Sequence, residues 1–259
     1  MAYEALILEK EEGIAIVSLN KPPVNSLNVQ AYQELYDAFS ECEKDSSVGA
    51  VILTGTGEKI FTAGLDVKEV AGKSIPDYLA FGRFSRMCVD KIASIQKPTI
   101  AAVFGFVLGG ALELALACDL RIATSDAKIG CPEINLGIIP GSGGTQRMPR
   151  LIGVGKAKEL LFSGEQVSGD EAYRIGLVNK VTTKAELLNE AKAWAKKLAA
   201  KPRVAMSMLK NAIDNGINMD LASALSLEAD CFMVTYVSED GREGFQSFIE
   251  KRKPVFKGK

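Results

Sequence analysis

The sequence predicts an α/β fold in which a parallel sheet is followed by a cluster of C-terminal helices. Two observations lead to this fold class. In the first half of the chain, short β-rich runs alternate with helical patterns, and strands separated by helices of that length are typical of βαβ units. From Gly143 onward the pattern becomes almost wholly helical. We therefore expect an α/β core with helices added behind it.

The elements of the first half follow from apolar periodicity and turn residues. The predicted strands are residues 5–8, 14–19, 50–54, 99–103, 120–123 and 128–130. The predicted helices are residues 29–45, which begin at the expected N-cap Asn28, residues 75–95, and a segment from about Gly109 to Cys118. Gly64 is expected to take an unusual backbone conformation within a mixed segment, residues 61–67.

The second half carries helical spacing in six segments. They lie near residues 157–162, 169–174, 183–200, 204–215, 219–234 and 240–251. The shift in composition at Gly143 is the strongest sign of organisation along the chain.

Charge and apolar content exclude several functional classes. The 31 basic and 32 acidic residues leave a formal charge of −1, which provides no field for nucleic acid or an anionic membrane. No apolar run reaches the roughly 20 residues that a membrane span needs. The N-terminal residues do not resemble a signal or transit peptide. We expect a cytosolic protein whose five scattered cysteines are reduced and mostly buried.

The absence of histidine constrains any catalytic mechanism. The chain has no histidine, which removes Ser-His-Asp and Cys-His arrangements and histidine-dependent metal sites. Without a CxxC pair, zinc and thiol–disulfide chemistry are also disfavoured. If the protein is an enzyme, proton transfer must fall to carboxylates, lysine, tyrosine or cysteine.

A glycine-rich helix start precedes the first glutamate of interest. A helix that begins at Gly109 and Gly110 presents free N–H groups at its positive end, and without β-carbons it allows an oxygen to approach closely. Such a helix start suits an oxygen that becomes negative during a reaction. Glu113 lies in the first turn of this helix, within an apolar stretch. It serves either a reaction or the helix dipole and cap, and the apolar context alone does not decide.

A second glutamate follows twenty residues later. Glu133 comes after a proline, and residues 140–144 then offer backbone amides that lead into another helix. About two strands separate the two glutamates, so their carboxyl groups could face one cavity and share acid and base roles. Two surface glutamates are the alternative. The glycines of residues 141–144 lack the lysine and the spacing of a phosphate-binding loop.

Three segments in this order resemble the enoyl-CoA hydratase/isomerase (crotonase) superfamily. They are residues 61–68, 105–119 and 132–147, and the resemblance extends over nearly the whole chain. It implies a crotonase-like spiral of ββα units over residues 1–195, followed by a helical trimerisation region over residues 196–259. It also implies a homotrimer or a dimer of trimers.

The resemblance further implies a ligand and a set of binding groups. The ligand is an acyl-CoA thioester, which enters as substrate, and no cofactor or metal is expected. The thioester oxygen would lie between the backbone amides of Leu65 and Gly110, and the amide of Gly141 would bind the catalytic water. The residues expected to line the CoA site are Ala63, Asp66, Val67 and Lys68.

Among the reactions of this superfamily, the two glutamates favour hydration. True hydratases have glutamate at both positions that match Glu113 and Glu133. The resemblance therefore implies reversible addition of water to a 2-enoyl-CoA. Double-bond isomerisation, hydration of a cyclic dienoyl-CoA and acyl-CoA binding without catalysis remain open as alternatives.

Overall fold

The structure, a computed structural model, describes residues 3–259. Its strands form two sheets, one of six strands and one of four. In chain order they are β1 Leu6–Glu11, β2 Ile14–Leu19, β3 Ala50–Gly55, β4 Ile60–Thr62, β5 Thr99–Val103, β6 Phe106–Leu108, β7 Leu120–Thr124, β8 Lys128–Gly130, β9 Val167–Ser168 and β10 Lys180–Thr182.

Eleven α-helices accompany these strands within the described residues. They are α1 Val29–Lys44, α2 Val67–Val70, α3 Ile75–Ser94, α4 Gly110–Ala117, α5 Gly144–Ile152, α6 Val154–Ser163, α7 Gly169–Arg174, α8 Lys184–Ala199, α9 Arg203–Gly216, α10 Leu221–Val237 and α11 Glu239–Ile249. A 3₁₀ helix, Pro132–Leu136, follows β8.

The chain winds through three similar turns, each of which places one strand in each sheet before a helix. The pairs β3 and β4, β5 and β6, and β7 and β8 each contribute first to the large sheet and then to the small one. The large sheet consequently has the order β1-β2-β3-β5-β7-β10, and the small sheet has the order β4-β6-β8-β9. This repeated pattern is a spiral of ββα units.

The large sheet forms the centre of the core. Every residue of β2 and β5 is buried, which explains why these strands appear in the sequence as continuous apolar runs without alternation. Only the hairpin of β1 and β2 is antiparallel in this sheet, whereas the remaining neighbours pair in parallel. Helix α8 packs across the sheet against β3, β5 and β7.

The small sheet positions the loops of interest. Strands β4, β6 and β8 are adjacent and parallel, so their carboxyl ends meet at one edge. The segments that leave this edge contain Gly64 and Leu65, then Gly109 and Gly110, then Glu133. Loops at the carboxyl ends of parallel strands are the usual place for a ligand site in an α/β sheet.

The predicted fold class is confirmed, and so are most of the long elements. Asn28 caps α1 as expected, because its side chain accepts a hydrogen bond from the Ala31 amide at 2.9 Å. Gly64 has the expected positive φ of 74°. After Gly143 the chain is mainly helical, as expected, but the structure adds two short strands that were not predicted: β9 belongs to the small sheet and β10 to the large sheet.

The predicted division of the chain falls inside a helix. Residue 195 lies within α8, which continues to Ala199 and buries Leu187, Ala191 and Ala195. The first helix beyond α8 is α9, which starts at Arg203. The separation into a core and an oligomerisation region stays a prediction.

Candidate active site

Two backbone amides lie next to each other at the ends of β4 and β6. A β-carbon built on Gly110 would lie 3.6 Å from the Leu65 nitrogen, and one built on Gly64 would lie 3.4 Å from the Gly110 nitrogen. It would also lie 2.8 Å from the Leu108 carbonyl oxygen, which is too close for any side chain. Gly64 is therefore required for the two strand ends to approach.

Both amides are free to bind an oxygen. The Leu27 amide donates to the Gly64 carbonyl at 2.8 Å and the Asp66 amide donates to the Leu27 carbonyl at 3.0 Å, so the Leu65 N–H points to the other side. Gly110 is the first residue of α4, where helical amides have no partner within the helix. Within residues 3–259 neither amide has a backbone or side-chain acceptor.

Glu113 is buried in the first turn of α4. Its exposed fraction is 3%, and its surroundings on α4 are apolar. Its Oε1 atom accepts hydrogen bonds from the amides of Ser142 at 2.6 Å and Gly144 at 2.9 Å. A carboxylate at this depth needs such partners, because an unpaired buried charge is strongly destabilising.

The loop before α5 is shaped to supply these two amides. A β-carbon on Gly144 would lie 2.8 Å from Pro140 Cβ and 3.3 Å from Glu113 Oε1, so only glycine lets the amide reach the carboxylate. Gly143 between the two donors has a φ of 116°, which turns both N–H groups toward Glu113. The loop thus holds Glu113 from outside its own helix.

Glu133 approaches the same place from the 3₁₀ helix after β8. Its Oε1 atom would lie 2.8 Å from a β-carbon on Gly109, so the carboxyl group rests directly on the glycine that starts α4. Its Oε2 atom is buried and has no hydrogen-bond partner among residues 3–259. Buried polar atoms without partners are rare, and such an atom points to a ligand or water that completes the site.

Burial perturbs both carboxyl groups. Burial raises the pKa of Glu113, although the Gly144 and Ser142 amides and the nearby Arg147 cation oppose this shift. Burial also raises the pKa of Glu133, and the negative charge of Glu113 raises it further. The charge of Glu113 and burial therefore act in the same direction on Glu133, and both favour its protonated form.

Two further side chains lie close to the glycines of the site. The Cys131 thiol lies 3.4 Å from the position of a Gly144 β-carbon, and its pKa is raised by burial and by the charges of both glutamates. The Tyr32 hydroxyl, from α1, lies 3.5 Å from the position of a Gly110 β-carbon. In the sequence, only the paired glycines Gly109 and Gly110 indicated that other groups approach the backbone closely here.

Gly141, the residue predicted to bind the catalytic water, lies in the loop before α5. Gly141 is exposed, and its amide has no acceptor among the described residues. The neighbouring amides of Ser142 and Gly144 bind Glu113 instead. The site thus contains two amide donors that the sequence interpretation did not assign, and the role of Gly141 stays a prediction.

The four residues predicted to bind CoA lie on either side of Gly64 and Leu65 in the chain. Ala63, Val67 and Lys68 are exposed. Asp66 is engaged elsewhere, because it accepts from the Ser26 hydroxyl at 3.0 Å and pairs with Lys21 at 3.5 Å. The Ser26 hydrogen bond is the main reason why the pKa of Asp66 is lowered.

Metal sites and membrane-spanning helices are both absent from the part of the chain that the structure describes. Among residues 3–259, no group of three or more histidine, cysteine, aspartate or glutamate side chains is arranged to hold a metal ion. In the same range, no helix is both long and apolar enough to cross a bilayer. All five cysteines are buried and free.

Comparisons with known proteins point to one family. Residues 9–259 match the family model described as enoyl-CoA hydratase/isomerase. The chain is 45% identical over 257 residues to crotonyl-CoA hydratase of Syntrophomonas wolfei, covering 99% of both chains. It is 44% identical over 254 residues to short-chain-enoyl-CoA hydratase of Clostridium acetobutylicum, covering 98% of this chain and 97% of that protein.

A solved structure shows the same fold. The crystal structure of an enoyl-CoA hydratase from Bacillus anthracis superimposes with a TM-score of 0.95 at 39% sequence identity. The match covers 99% of this chain and all of that one.

Proposed function

The chain belongs to the enoyl-CoA hydratase/isomerase family, and we propose that it adds water reversibly to the α,β double bond of a 2-enoyl-CoA, giving a 3-hydroxyacyl-CoA, with Glu113 and Glu133 as its catalytic pair. One observation carries this assignment: the buried carboxyl group of Glu113 and the half-buried carboxyl group of Glu133 lie beside a pair of free backbone amides. The names of the similar hydratases support the same reaction.

The amides of Leu65 and Gly110 would bind the thioester oxygen. Polarisation of the carbonyl makes Cβ electrophilic, and the two N–H groups then stabilise the negative charge that develops on the oxygen. A preorganised donor of this kind is worth about 10²–10³ in rate. Because only the backbone takes part, the side chain at position 65 is free to vary.

The glutamates differ in a way that suggests their roles. Glu113 receives two amide hydrogen bonds, which favour its ionised form. Glu133 has an unpartnered buried oxygen and faces the charge of Glu113, which favours its protonated form. The water oxygen bonds to Cβ as Glu113 accepts a water proton, and Glu133 delivers its proton to Cα. The two carboxyl groups hold one proton before and after the step. Transfer of that proton from Glu113 to Glu133 therefore restores the starting state.

The remaining contacts follow from the positions of the loops. We assign the Gly141 amide to the catalytic water, because it is free and lies one residue before the Ser142 amide that binds Glu113. CoA would lie along Ala63, Val67 and Lys68, with the lysine ammonium available to a phosphate. Asp66 would contribute indirectly by holding the Lys21 ammonium beside this segment.

The assembly and compartment belong to the same proposal. We propose a homotrimer or a dimer of trimers, because the face formed by α9 and α10 exposes Leu209, Ile213, Ile217, Leu221 and Leu225 to solvent. Light scattering that gives the mass of a single chain would contradict this. A cytoplasmic location agrees with five free cysteines, and cell fractionation tests it.

Hydration of crotonyl-CoA by single variants tests the assignment. Glu113→Gln and Glu133→Gln should each lower kcat by about 10²-fold or more, the size of a general acid–base contribution. Glu159→Gln serves as the control, because its side chain is 58% exposed and its carboxyl group pairs only with Lys156. Near-normal turnover by either site variant would overturn the two-glutamate mechanism.

A panel of substrates separates the alternatives. Linear 2-enoyl-CoAs of increasing length, 3-enoyl-CoAs and a cyclic dienoyl-CoA should be assayed together with the same preparation. Hydration of the linear 2-enoyl-CoAs should exceed isomerisation of the 3-enoyl-CoAs. Tight acyl-CoA binding without turnover of any member would establish the non-catalytic reading instead.

A further inference from the structure

The side chain of Arg147 is folded back onto the loop that holds Glu113. Its Nη1 atom donates to the Ser142 carbonyl at 2.9 Å, and its backbone amide donates to the Gly143 carbonyl at 2.8 Å. A β-carbon on Gly143 would lie 2.1 Å from Nη1, so the guanidinium occupies the space that this glycine leaves open. Backbone and side chain of one residue therefore bind the same turn.

A second helix anchors the guanidinium. The Nη2 atom of Arg147 pairs with Asp90 Oδ1 at 2.8 Å, and Asp90 lies on α3. The arginine side chain is 24% exposed and the aspartate side chain is 56% exposed. The pair is thus partly open to solvent, and its main consequence is geometric: it ties the loop before α5 to α3.

Ser142 is consequently held from both sides. Its N–H binds Glu113 and its carbonyl binds Arg147. Movement of this residue by an ångström would lengthen the 2.6 Å hydrogen bond to Glu113 and would release the carboxylate from its set position. Misplacement of a catalytic group by about 1 Å can cost about 10²-fold in rate.

We propose that Arg147 is a positioning residue for hydration, which clamps the Ser142–Gly144 turn against α3 so that its amides hold Glu113 in place. This inference rests on the proposed function. Arg147 touches neither carboxyl group directly; it acts through the loop. Its planar guanidinium reaches the Ser142 carbonyl and Asp90 with different nitrogens, which a lysine ammonium cannot reproduce in the same geometry.

The Arg147 guanidinium also places a positive charge near Glu113. The Arg147 cation lowers the pKa of Glu113, against the rise caused by burial. The other titratable groups around Glu113 are Glu133 and Cys131 after β8 and Tyr32 on α1. Asp90 on α3 lies beyond the guanidinium. Loss of the cation should therefore raise the pKa of Glu113 and move the acid limb of the kcat/KM profile to higher pH.

The test compares three variants of the full-length protein on crotonyl-CoA. Arg147→Met should lower kcat by about 10- to 100-fold with little change in KM, and its acid limb should move upward. Arg147→Lys should also lower kcat but should keep the acid limb near that of the wild type, because it retains the charge. Arg150→Met is the matched control, since this exposed arginine lies on the same helix and donates to Gln146 in its own turn.

Asp90→Asn provides an independent variant if Arg147→Met folds poorly, as judged by thermal unfolding. This variant keeps Arg147 and its hydrogen bond to the Ser142 carbonyl, and it removes only the negative charge of Asp90. Because the ion pair is partly exposed, we expect a kcat loss of about 2- to 5-fold. Wild-type kcat and an unmoved acid limb in both Arg147→Met and Asp90→Asn would overturn the clamp. If Glu113→Gln nevertheless abolished turnover, the proposed function would stand without it.

Discussion

The contact between Gly109 and Glu133 offers a sharp test of how the site is built. Gly109 is the N-cap of α4 with φ 57° and ψ −122°, a conformation open essentially to glycine alone. A β-carbon there would lie 2.8 Å from Glu133 Oε1 and 3.3 Å from its carboxyl carbon. Gly109→Ala must therefore strain the backbone and push the Glu133 carboxyl group away from the paired amides.

A matched variant separates the two effects. Gly153 is the N-cap of α6 with φ 79° and ψ 154°, and a β-carbon there would meet nothing within 4 Å. Strain of this kind costs about 1–3 kcal/mol, and each kcal/mol lowers the melting temperature of a domain of this size by about 2–4 °C. Both alanine variants should lose stability by this amount, but only Gly109→Ala should lose activity.

Steady-state hydration of crotonyl-CoA and thermal unfolding measure the two quantities. We expect kcat of Gly109→Ala to fall about 10²-fold, because a displaced acid–base group contributes little, and kcat of Gly153→Ala to stay near that of the wild type. A Gly109→Ala variant with normal kcat would refute the placement of Glu133 on this glycine. Equal losses of activity in both variants would show that strain, and not displacement of the carboxyl group, reduces the rate.

Three further perturbations have defined outcomes. Burial raises the pKa of Glu133. Above the ordinary pKa of glutamate, about 4.3, the folded chain therefore binds more protons at this group than the unfolded chain does. Its contribution to the free energy of unfolding consequently falls as pH rises. Glu133→Gln should therefore raise the melting temperature near neutral pH and not at about pH 4; an equal gain at both would contradict this. Arg121 is buried and donates to the carbonyls of Leu177 at 2.9 Å and Cys118 at 2.7 Å, so Arg121→Met should lower the free energy of unfolding in urea by about 2–4 kcal/mol; a loss below half of that would contradict it. Leu65→Ala should keep kcat within about threefold, whereas Leu65→Pro, which lacks the N–H, should lose about 10²-fold or more; equal kinetics would exclude the amide.

The long elements were predictable because their physics is local. Helix α1 has its cap at Asn28 and an apolar stripe at helical spacing, and β2 and β3 are continuous buried runs. The start of α4 at paired glycines, with Glu113 in its first turn, follows from the same kind of reasoning. These features depend on residues within about one helical turn of each other.

The short strands could not be found in this way. β6 has three residues and β9 has two, which is too few for an alternating pattern to stand out. Phe106 in β6 is exposed while Val107 is buried, yet this single alternation follows Gly105 and looks like the approach to a helix. Their pairing with distant strands, and not their own sequence, makes them strands.

The partners of the glutamates depend on loop geometry across the fold. The sequence indicated that the amides of residues 140–144 matter, but not that Ser142 and Gly144 bind Glu113. That choice follows from the φ of Gly143 and from the guanidinium of Arg147, neither of which leaves a local signal. The meeting of Glu133 with Gly109 likewise requires β6 and β8 to be neighbours in the small sheet.

The most direct measurement is the double-variant cycle of the two glutamates on crotonyl-CoA. If Glu113 and Glu133 share one proton around one water, each glutamine variant disables the pair, and the double variant should lose little more kcat than the worse single variant. Losses that multiply, so that the double variant falls by the product of the single effects, would mean that the two carboxyl groups act independently and would contradict a shared catalytic water.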